Sequence, residues 1–453
     1  MKKPRTNGIN ALIMKSLGLF GGTQALSIVC SVVRAKLVTL WIGPLGLGLF
    51  GLWNTALELL NTVTNLGINS SSVRNLSQAS ADGNAVGVAR IVAVVRRWSL
   101  WLAIGGAALT VILAPLLSSV SFQDLAHCWG FVALAAAVAM TTLANGEKAV
   151  LQGTGALSRL AKASICATIF GLAVSVPMFY FWGEDSVLPS IIAYAAMSLL
   201  VMRFARSRSI VPVAVSRKEA FAQGREFVSL GIFMTVGSLF ALISSYLFNA
   251  YLHHVSGTEE VGYYQAGYTL VNKYAGLVLS AIAVEYFPRL SRVVGSAKRT
   301  RIFVSQEINI SLWLLAPIVV AMILLRRPIV SLLYSAEFCD HILPFVSWML
   351  VGTLLRAFSW AMSYEILARG DGKTFICTEL TSEVIGFGLN VWFYSLWGLT
   401  GLGLSFACWY AIYSAMVWAV YHFRYHLRLS RACYINLLLT LAVTIATALV
   451  LNK

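Results

Sequence analysis

Apolar runs of about 20 residues, each long enough to cross a bilayer as a helix, follow one another along nearly the whole chain. Hydrocarbon offers no water to a backbone N–H or C=O, so such runs must be helices that satisfy their own hydrogen bonds. The pattern predicts spans over 15–42, 47–67, 92–117, 127–147, 157–182, 186–205, 228–252, 261–287, 306–326, 342–368, 374–396, 402–422 and 434–451. Composition agrees, with 58% of the 453 residues hydrophobic and 11% charged. A soluble domain carries roughly 25% charge, so this chain lacks the polar residues to cover itself in water. The start, MKKPR before an apolar run, imitates a secretory leader. Its run is too long and lacks a small-x-small site, which predicts an uncleaved first span.

A net charge of +16 raises the question of a nucleic-acid partner, and its distribution answers it. Most Lys and Arg fall in alternate connections: Lys2, Lys3 and Arg5; Arg74, Arg90, Arg96 and Arg97; Lys148, Arg159 and Lys162; the run Arg203 to Arg225; Arg289 to Arg301; Arg369 and Lys373; and Arg424 to Arg431. The opposite connections carry Asp124, Glu184, Asp185, Glu259 and Glu260, with Arg326 and Arg327 as the exception. Positive charge held to one side predicts a cytoplasmic N-terminus and leaves no basic surface for nucleic acid. Seven widely spaced cysteines contain no C-x-x-C, so neither a disulfide framework nor a zinc site is expected.

The second half echoes the first. Gly48, Leu76 and Ser77 recur as Gly262, Leu290 and Ser291, and Trp182-Gly183 recurs as Trp397-Gly398, at a shift of about 214 residues. Six spans per copy is an even number, so both copies enter from the same side. The expected fold is an all-α polytopic membrane protein of two parallel six-helix bundles: an N-lobe over 1–205, a linker over 206–226, a C-lobe over 227–424 and an additional helix over 425–453. Two such lobes with a site between them is a transporter arrangement.

Residues 46–51, GLGLFG, match the G-x-G-x-x-G dinucleotide fingerprint. That fingerprint works only after a strand and before a helix, with an acid about 20 residues on. Here it joins two apolar spans, and Glu58 follows too soon. Gly46, Gly48 and Gly51 instead suit close helix packing, behind a tight turn at Gly43-Pro44. No cofactor is expected.

Charged and amide side chains inside the spans fall on stripes. Asn54, Glu58, Asn61 and Asn65 share one face of span two. Gln265, Thr269, Asn272 or Lys273 and Gly276 share one of span eight. Gly352, Arg356, Ser359 and Ser363 line span ten, and Glu379, Glu383, Gly386 and Asn390 line span eleven. Lipid would reject these faces, which predicts a wet cavity between the lobes. The adjacent His253-His254 has no third ligand nearby in sequence, so no metal site is expected. Trp41, Trp53, Trp182 and Trp397 suit interfacial belts.

The segment RAKLVTLWIGPLGLG (Arg34 to Gly48) and its continuation NLGINSSSVRNLSQ (Asn65 to Gln78) resemble the first hairpin of Wzx-type polysaccharide flippases, members of the multidrug/oligosaccharidyl-lipid/polysaccharide exporter superfamily. EVGYYQ (Glu260 to Gln265) and PRLSR (Pro288 to Arg292) resemble their eighth helix and its exit. The resemblance implies a MATE-like fold in a bacterial inner membrane. It also implies transfer of an undecaprenyl-pyrophosphate-linked oligosaccharide, an O-antigen or similar repeat unit, from the cytoplasmic to the periplasmic leaflet by alternating access. A glycan polymerase and chain-length machinery would be the protein partners. The thirteenth span is a departure, since such relatives have twelve or fourteen.

Arg34 matches the position of a required arginine in the related lipid II flippases, and a guanidinium can hold two oxygens of a pyrophosphate at once. Lys273 and Arg356 are further candidate cations, Asn54, Asn61 and Asn272 candidate polar contacts, and Glu58, Glu379 and Glu383 candidate ion-coupling acids. A cation-coupled multidrug exporter of the same superfamily is the alternative, although Glu58 is the sole mid-membrane acid of the first half. A membrane glycan polymerase or glycosyltransferase would need larger outer loops than these.

Overall fold

The computed structural model of the protein describes residues 26–451 apart from 66, 82–83, 207–212, 214, 277, 280–281, 283–285, 287–288 and 291–292; at 68–70, 81, 226–234 and 273–275 it describes the backbone alone. Among the described residues no strand occurs, and eight helices are long and apolar enough to cross a membrane. Two of these, Leu157–Phe204 and Gly372–Arg424, are long enough to cross twice. The chain is a multi-pass membrane protein. Its outward apolar side chains include Ile112, Phe181, Leu332 and Val450, each 73% exposed, which only lipid can cover without penalty. By contacts the chain forms two units, Met1–Gly257 and Thr258–Lys453.

In the first unit, helical residues 26–41 (α1) pass through Gly43, at φ +73°, into α2 (Gly43–Asn65). A Cβ on Gly46 would lie 2.5 Å from that of Ile42, so the glycine allows the turn to close on α1. GLGLFG is therefore helical and follows a helix, and the strand a nucleotide fold needs is not there. Next come α3 (Ile68–Ala81), α4 (Ala85–Phe122), α5 (Cys128–Gly153), α6 (Leu157–Trp182), α7 (Val187–Phe204) and α8 (Arg217–Ser256). The short α3 was hidden in sequence by its polar composition. It is fixed by Leu76, fully buried with Val92, Val94, Val95, Trp98, Val150, Val215 and Ala220.

α8 begins at Arg217, well before the predicted start of its span, because Ser216 and Glu219 form a capping box. Its first turns are gripped by α4. Arg97 Nη1 donates to Val215 O (2.5 Å), Trp98 Nε1 donates to Ala220 O (2.7 Å), and Arg90 pairs with Glu219 (3.3 Å). A Cβ on Gly224 would lie 1.7 Å from Trp98 Nε1. Alongside, the buried carboxylate of Glu147 accepts from Arg96 Nε (3.1 Å) and from Arg206 Nη2 (2.5 Å). Glu147→Gln should cost about 1–3 kcal/mol, because one strong acceptor is lost while two guanidiniums stay behind, partly open to water. Thermal unfolding in detergent would show a lowered midpoint; an unchanged midpoint would mean the pairing carries no net stability.

In the second unit, α9 (Thr258–Thr269) runs into a π-helical turn, Leu270–Ala275, and described positions between 276 and 293 are helical (α10). Then follow α11 (Ala297–Leu324), α12 (Arg326–Leu333), α13 (Glu337–Ala368), α14 (Gly372–Ala419), a second π-helical turn at Val420–Arg424, and α15 (Arg431–Leu451). α13 is the buried centre, packed by α9, α11, α12, α14 and α15. α14 breaks at Gly398, where φ is +58°.

Backbone geometry repeats between the units. Gly43, Gly155 and Gly183 have φ of +73°, +71° and +53°; Gly257, Gly370 and Gly398, 214 or 215 residues later, have +88°, +74° and +58°. All are conformations that cost an L side chain 1–2 kcal/mol or so. Side-chain packing repeats as well. A Cβ on Gly171 would lie 2.3 Å from the Tyr194 ring, and one on Gly386 would lie 2.4 Å from the Trp409 ring, again 215 residues on. The duplication is thus written into the fold.

One expected belt residue is not one. Trp53 is 5% exposed and packs on Phe122 (5.1 Å) and Phe131 (4.8 Å), because Gly130 leaves room for its ring. Trp182 and Trp397 are exposed at helix ends.

Candidate functional site

The first unit positions Arg34 on α1, half-buried, between two aromatic faces. Its guanidinium carbon is 4.8 Å from the Phe50 ring on α2 and 5.3 Å from the Tyr194 ring on α7. Among the described residues no carboxylate pairs with it. Rings lend a cation modest attraction without using its N–H donors, so as far as the described residues go the guanidinium donors stay available to an anion. Glu58, exposed on α2, accepts from Asn54 Nδ2 (2.9 Å) rather than from Arg34.

The stripe read along α2 divides on inspection. Asn61 is buried, donating to Leu57 O (2.9 Å) and accepting from Thr142 (3.4 Å) on α5; Asn65 donates to Asn61 O (2.8 Å). Asn54 and Glu58 are the members that remain at the surface of the unit.

In the second unit Arg356 on α13 donates from Nη1 to Asn272 Oδ1 (2.5 Å) and lies 5.7 Å from the Tyr410 ring. Asn272 sits on the π-helical turn, whose extra residue re-aims the face of α9 toward α13. Lys273 occupies the same turn, and its side chain is outside the described residues. Tyr410 is within electrostatic reach of Arg356, Glu379 and Glu383. Glu379 accepts hydrogen bonds from Tyr413 and from Ser363 Oγ (3.3 Å), both neutral donors. Tyr264, near Glu383, packs its ring 5.4 Å from that of Tyr268. Arg356, Asn272, Glu379 and Glu383 thus share one polar, tyrosine-lined region of one unit.

Tyrosines beside the candidate residues are what the polar stripes did not point to. Tyr194, Tyr264, Tyr268, Tyr410 and Tyr413 combine ring faces, which stack on apolar sugar faces or cations, with hydroxyls. Their one signal in sequence is density: 17 Tyr in a chain with 11% charge. The connection between α4 and α5 holds a further cluster. His127 Nδ1 lies 2.9 Å from Asp124, and its ring stacks on Phe122 (4.1 Å), which also meets His253 (5.5 Å). The hydrogen bond from His127 holds the Asp124 carboxyl below its usual range. Among the described residues no group of three or more His, Cys, Asp or Glu is placed to hold a metal ion.

Comparison with known proteins adds the family context. The model of a family described as "Polysaccharide biosynthesis protein" matches residues 37–343. The lipid III flippase of Escherichia coli (strain K12) is 21% identical over 401 residues, covering 85% of this chain and 92% of the relative; that of Shigella flexneri matches equally. Among solved structures, the lipid II flippase MurJ in an inward closed conformation is similar with a TM-score of 0.72 and 12% identity, over 96% of this chain and 92% of that one. An inward-facing multidrug resistance MATE family transporter of the MOP superfamily gives 0.72 and 14%, over 88% and 94%. These likenesses establish the MATE-like fold.

Proposed function

Because this chain belongs to the polysaccharide biosynthesis protein family, we propose that it is a flippase that moves a lipid-linked saccharide across the membrane, with no catalytic step of its own. The finer substrate we infer is an undecaprenyl-pyrophosphate-linked oligosaccharide, an O-antigen or similar repeat unit. It would pass from the cytoplasmic to the periplasmic leaflet of a bacterial inner membrane, with the N-terminus cytoplasmic and a polymerase receiving the product. The observation that carries this is Arg34: a half-buried guanidinium held by two rings and by no carboxylate among the described residues.

A cation inside a membrane protein is costly unless something compensates it. Arg34 and Arg356 are each braced by neutral groups, so a diphosphate can supply the missing charge. Bidentate bonds to phosphoryl oxygens are what guanidinium geometry suits. The Phe50, Tyr194 and Tyr410 rings beside the two cations offer faces on which the sugars that follow the diphosphate can stack. Alternating access requires that the substrate favour one conformation by its differential contacts, and a cation left to neutral partners until the anion arrives would provide them. Glu379 and Glu383, beside the Arg356 region, are the acids we assign to ion coupling, with Glu58 a weaker third. An exporter of cationic drugs would instead favour a cavity dominated by carboxylates in the first unit, where the sequence places Glu58 alone at mid-membrane.

Deleting the gene and analysing surface glycan together with lipid-linked intermediates tests this. Loss of surface glycan with build-up of lipid-linked saccharide at the inner leaflet, and unchanged drug sensitivity, is expected. Normal surface glycan, or hypersensitivity to cationic drugs as the sole effect, would overturn it.

A further inference from the structure

Toward the basic end of the second unit, α13 carries a second kind of carboxyl. Glu365 is fully buried. Its Oε1 accepts from Arg369 Nε (2.6 Å), one turn later, while its Oε2 has no hydrogen-bond partner. Tyr421, also buried, sits on the π-helical turn Val420–Arg424 with its hydroxyl equally unpartnered. Glu365 and Tyr421 are within electrostatic reach of each other. A fully buried carboxylate normally gathers several donors, and this one has a single cationic donor and an idle oxygen.

We propose that Glu365 is a proton-binding site whose protonation competes with the Glu365–Arg369 ion pair, and that this pair controls the loop joining α13 to α14. The step is a simple exchange: a proton from water binds the carboxylate oxygen, giving a neutral carboxyl and freeing the guanidinium of its partner. Arg369 is where the site meets the loop. Its guanidinium carbon lies 4.5 Å from the Tyr425 ring, and Tyr425 donates its hydroxyl to Asp371 Oδ2 (2.9 Å). Asp371 also accepts from Arg424 (3.0 Å) and from the hydroxyl and backbone N–H of Thr374. The loop is thus tied to Arg369, and Arg369 to Glu365. If the loop leaves, Glu365 loses its one counter-charge and takes a proton; by linkage, a proton on Glu365 favours release of the loop.

The groups facing the site are accounted for. Tyr421 and Tyr425 approach Glu365 from beyond α14, and Tyr286 from α10, its hydroxyl donating to Ala361 O (2.7 Å). Arg301 and Glu307 of α11 and Cys433 of α15 stand behind those tyrosines. Asp371 is not the sensor, since the bonds from Thr374, then Tyr425 and Arg424, hold it at about 2. His422 stacks on Trp418, and infrared spectroscopy separates an imidazole from a carboxyl. None of this depends on what the protein transports.

The test is infrared titration of the full chain in lipid nanodiscs between about pH 5 and 8, where ordinary exposed carboxylates are already ionised. The wild type should show a protonated-carboxyl band that grows toward acid pH, and Glu365→Gln should remove one component of it, leaving whatever Glu379 and Glu383 contribute. Arg369→Gln removes the counter-charge and should move the midpoint up by at least about one pH unit, so that the band persists at neutral pH. A thiol placed at exposed Gly372 (Gly372→Cys, other cysteines replaced) should be labelled faster at acid pH in the wild type, and at a fast, pH-independent rate with Glu365→Gln. A wild type without the band, a band unchanged in amplitude by Glu365→Gln, or labelling with equal pH dependence in both proteins would overturn the proposal. Because no substrate is present, that failure would leave the flippase reading untouched, and loss of the flippase reading would leave the titration standing.

Discussion

Arg34→Ala should reduce glycan export by a factor of about 100 or more while the protein remains in the membrane at normal abundance. Hydrogen bonds to charged groups are worth roughly 1.5–3 kcal/mol each. Losing a bidentate pair therefore removes about 3–4 kcal/mol or more of substrate binding, and 1.4 kcal/mol is tenfold. Packing should suffer little, because Phe50 and Tyr194 lie over the guanidinium with no bond to lose. Arg34→Lys keeps the charge but not the planar fork, so it should restore part of the activity. Phe50→Leu removes one ring and should weaken export several-fold. Export is read as surface glycan and abundance by immunoblot of the membrane fraction. Wild-type export by Arg34→Ala at normal abundance would remove this residue from the site, whatever the substrate is.

The helices were legible because hydrocarbon imposes one rule on every span, and apolar length reports it directly. Duplication was legible from a few matched residues, of which Gly183 and Gly398 return in the structure as paired positive-φ positions, joined there by Gly43 with Gly257 and Gly155 with Gly370. What periodicity could not tell is which neighbour a polar side chain meets. Asn61 and Asn65 keep the spacing of a polar stripe, yet each donates to the carbonyl one turn back in its own helix, and both are buried. An amide can satisfy itself locally, so a stripe of Asn is weak evidence for water. Arg34 and Arg356 have no comparable local option, which is why cations located polar regions better than amides did. The π-helical turns at Leu270–Ala275 and Val420–Arg424 were invisible, since one inserted residue leaves no mark on hydropathy. Both turns carry side chains that matter here, Asn272 and Tyr421.

Glycine substitutions in α14 should separate packing from composition sharply. Gly403 and Gly388 belong to the same apolar element and look alike in sequence. A Cβ on Gly403 would lie 2.4 Å from Phe345 O and 2.9 Å from Phe345 Cα, both backbone atoms of the buried central helix α13. Neither can yield by changing rotamer, so even Gly403→Ala must push two helices apart. A Cβ on Gly388 meets nothing within 4 Å. In a bilayer, helix association depends on this close approach, because lipid tails are as apolar as the side chains they replace. Gly403→Leu should therefore cost about 3 kcal/mol or more, near the upper end for overpacking, and yield little folded protein. Gly388→Leu should fall within about 0.5 kcal/mol of the wild type, as substitutions on an open surface do. Size-exclusion profiles and thermal unfolding of the two variants in detergent measure the difference. Equal tolerance at both positions would mean that α13 and α14 do not pack as closely as their backbones are placed.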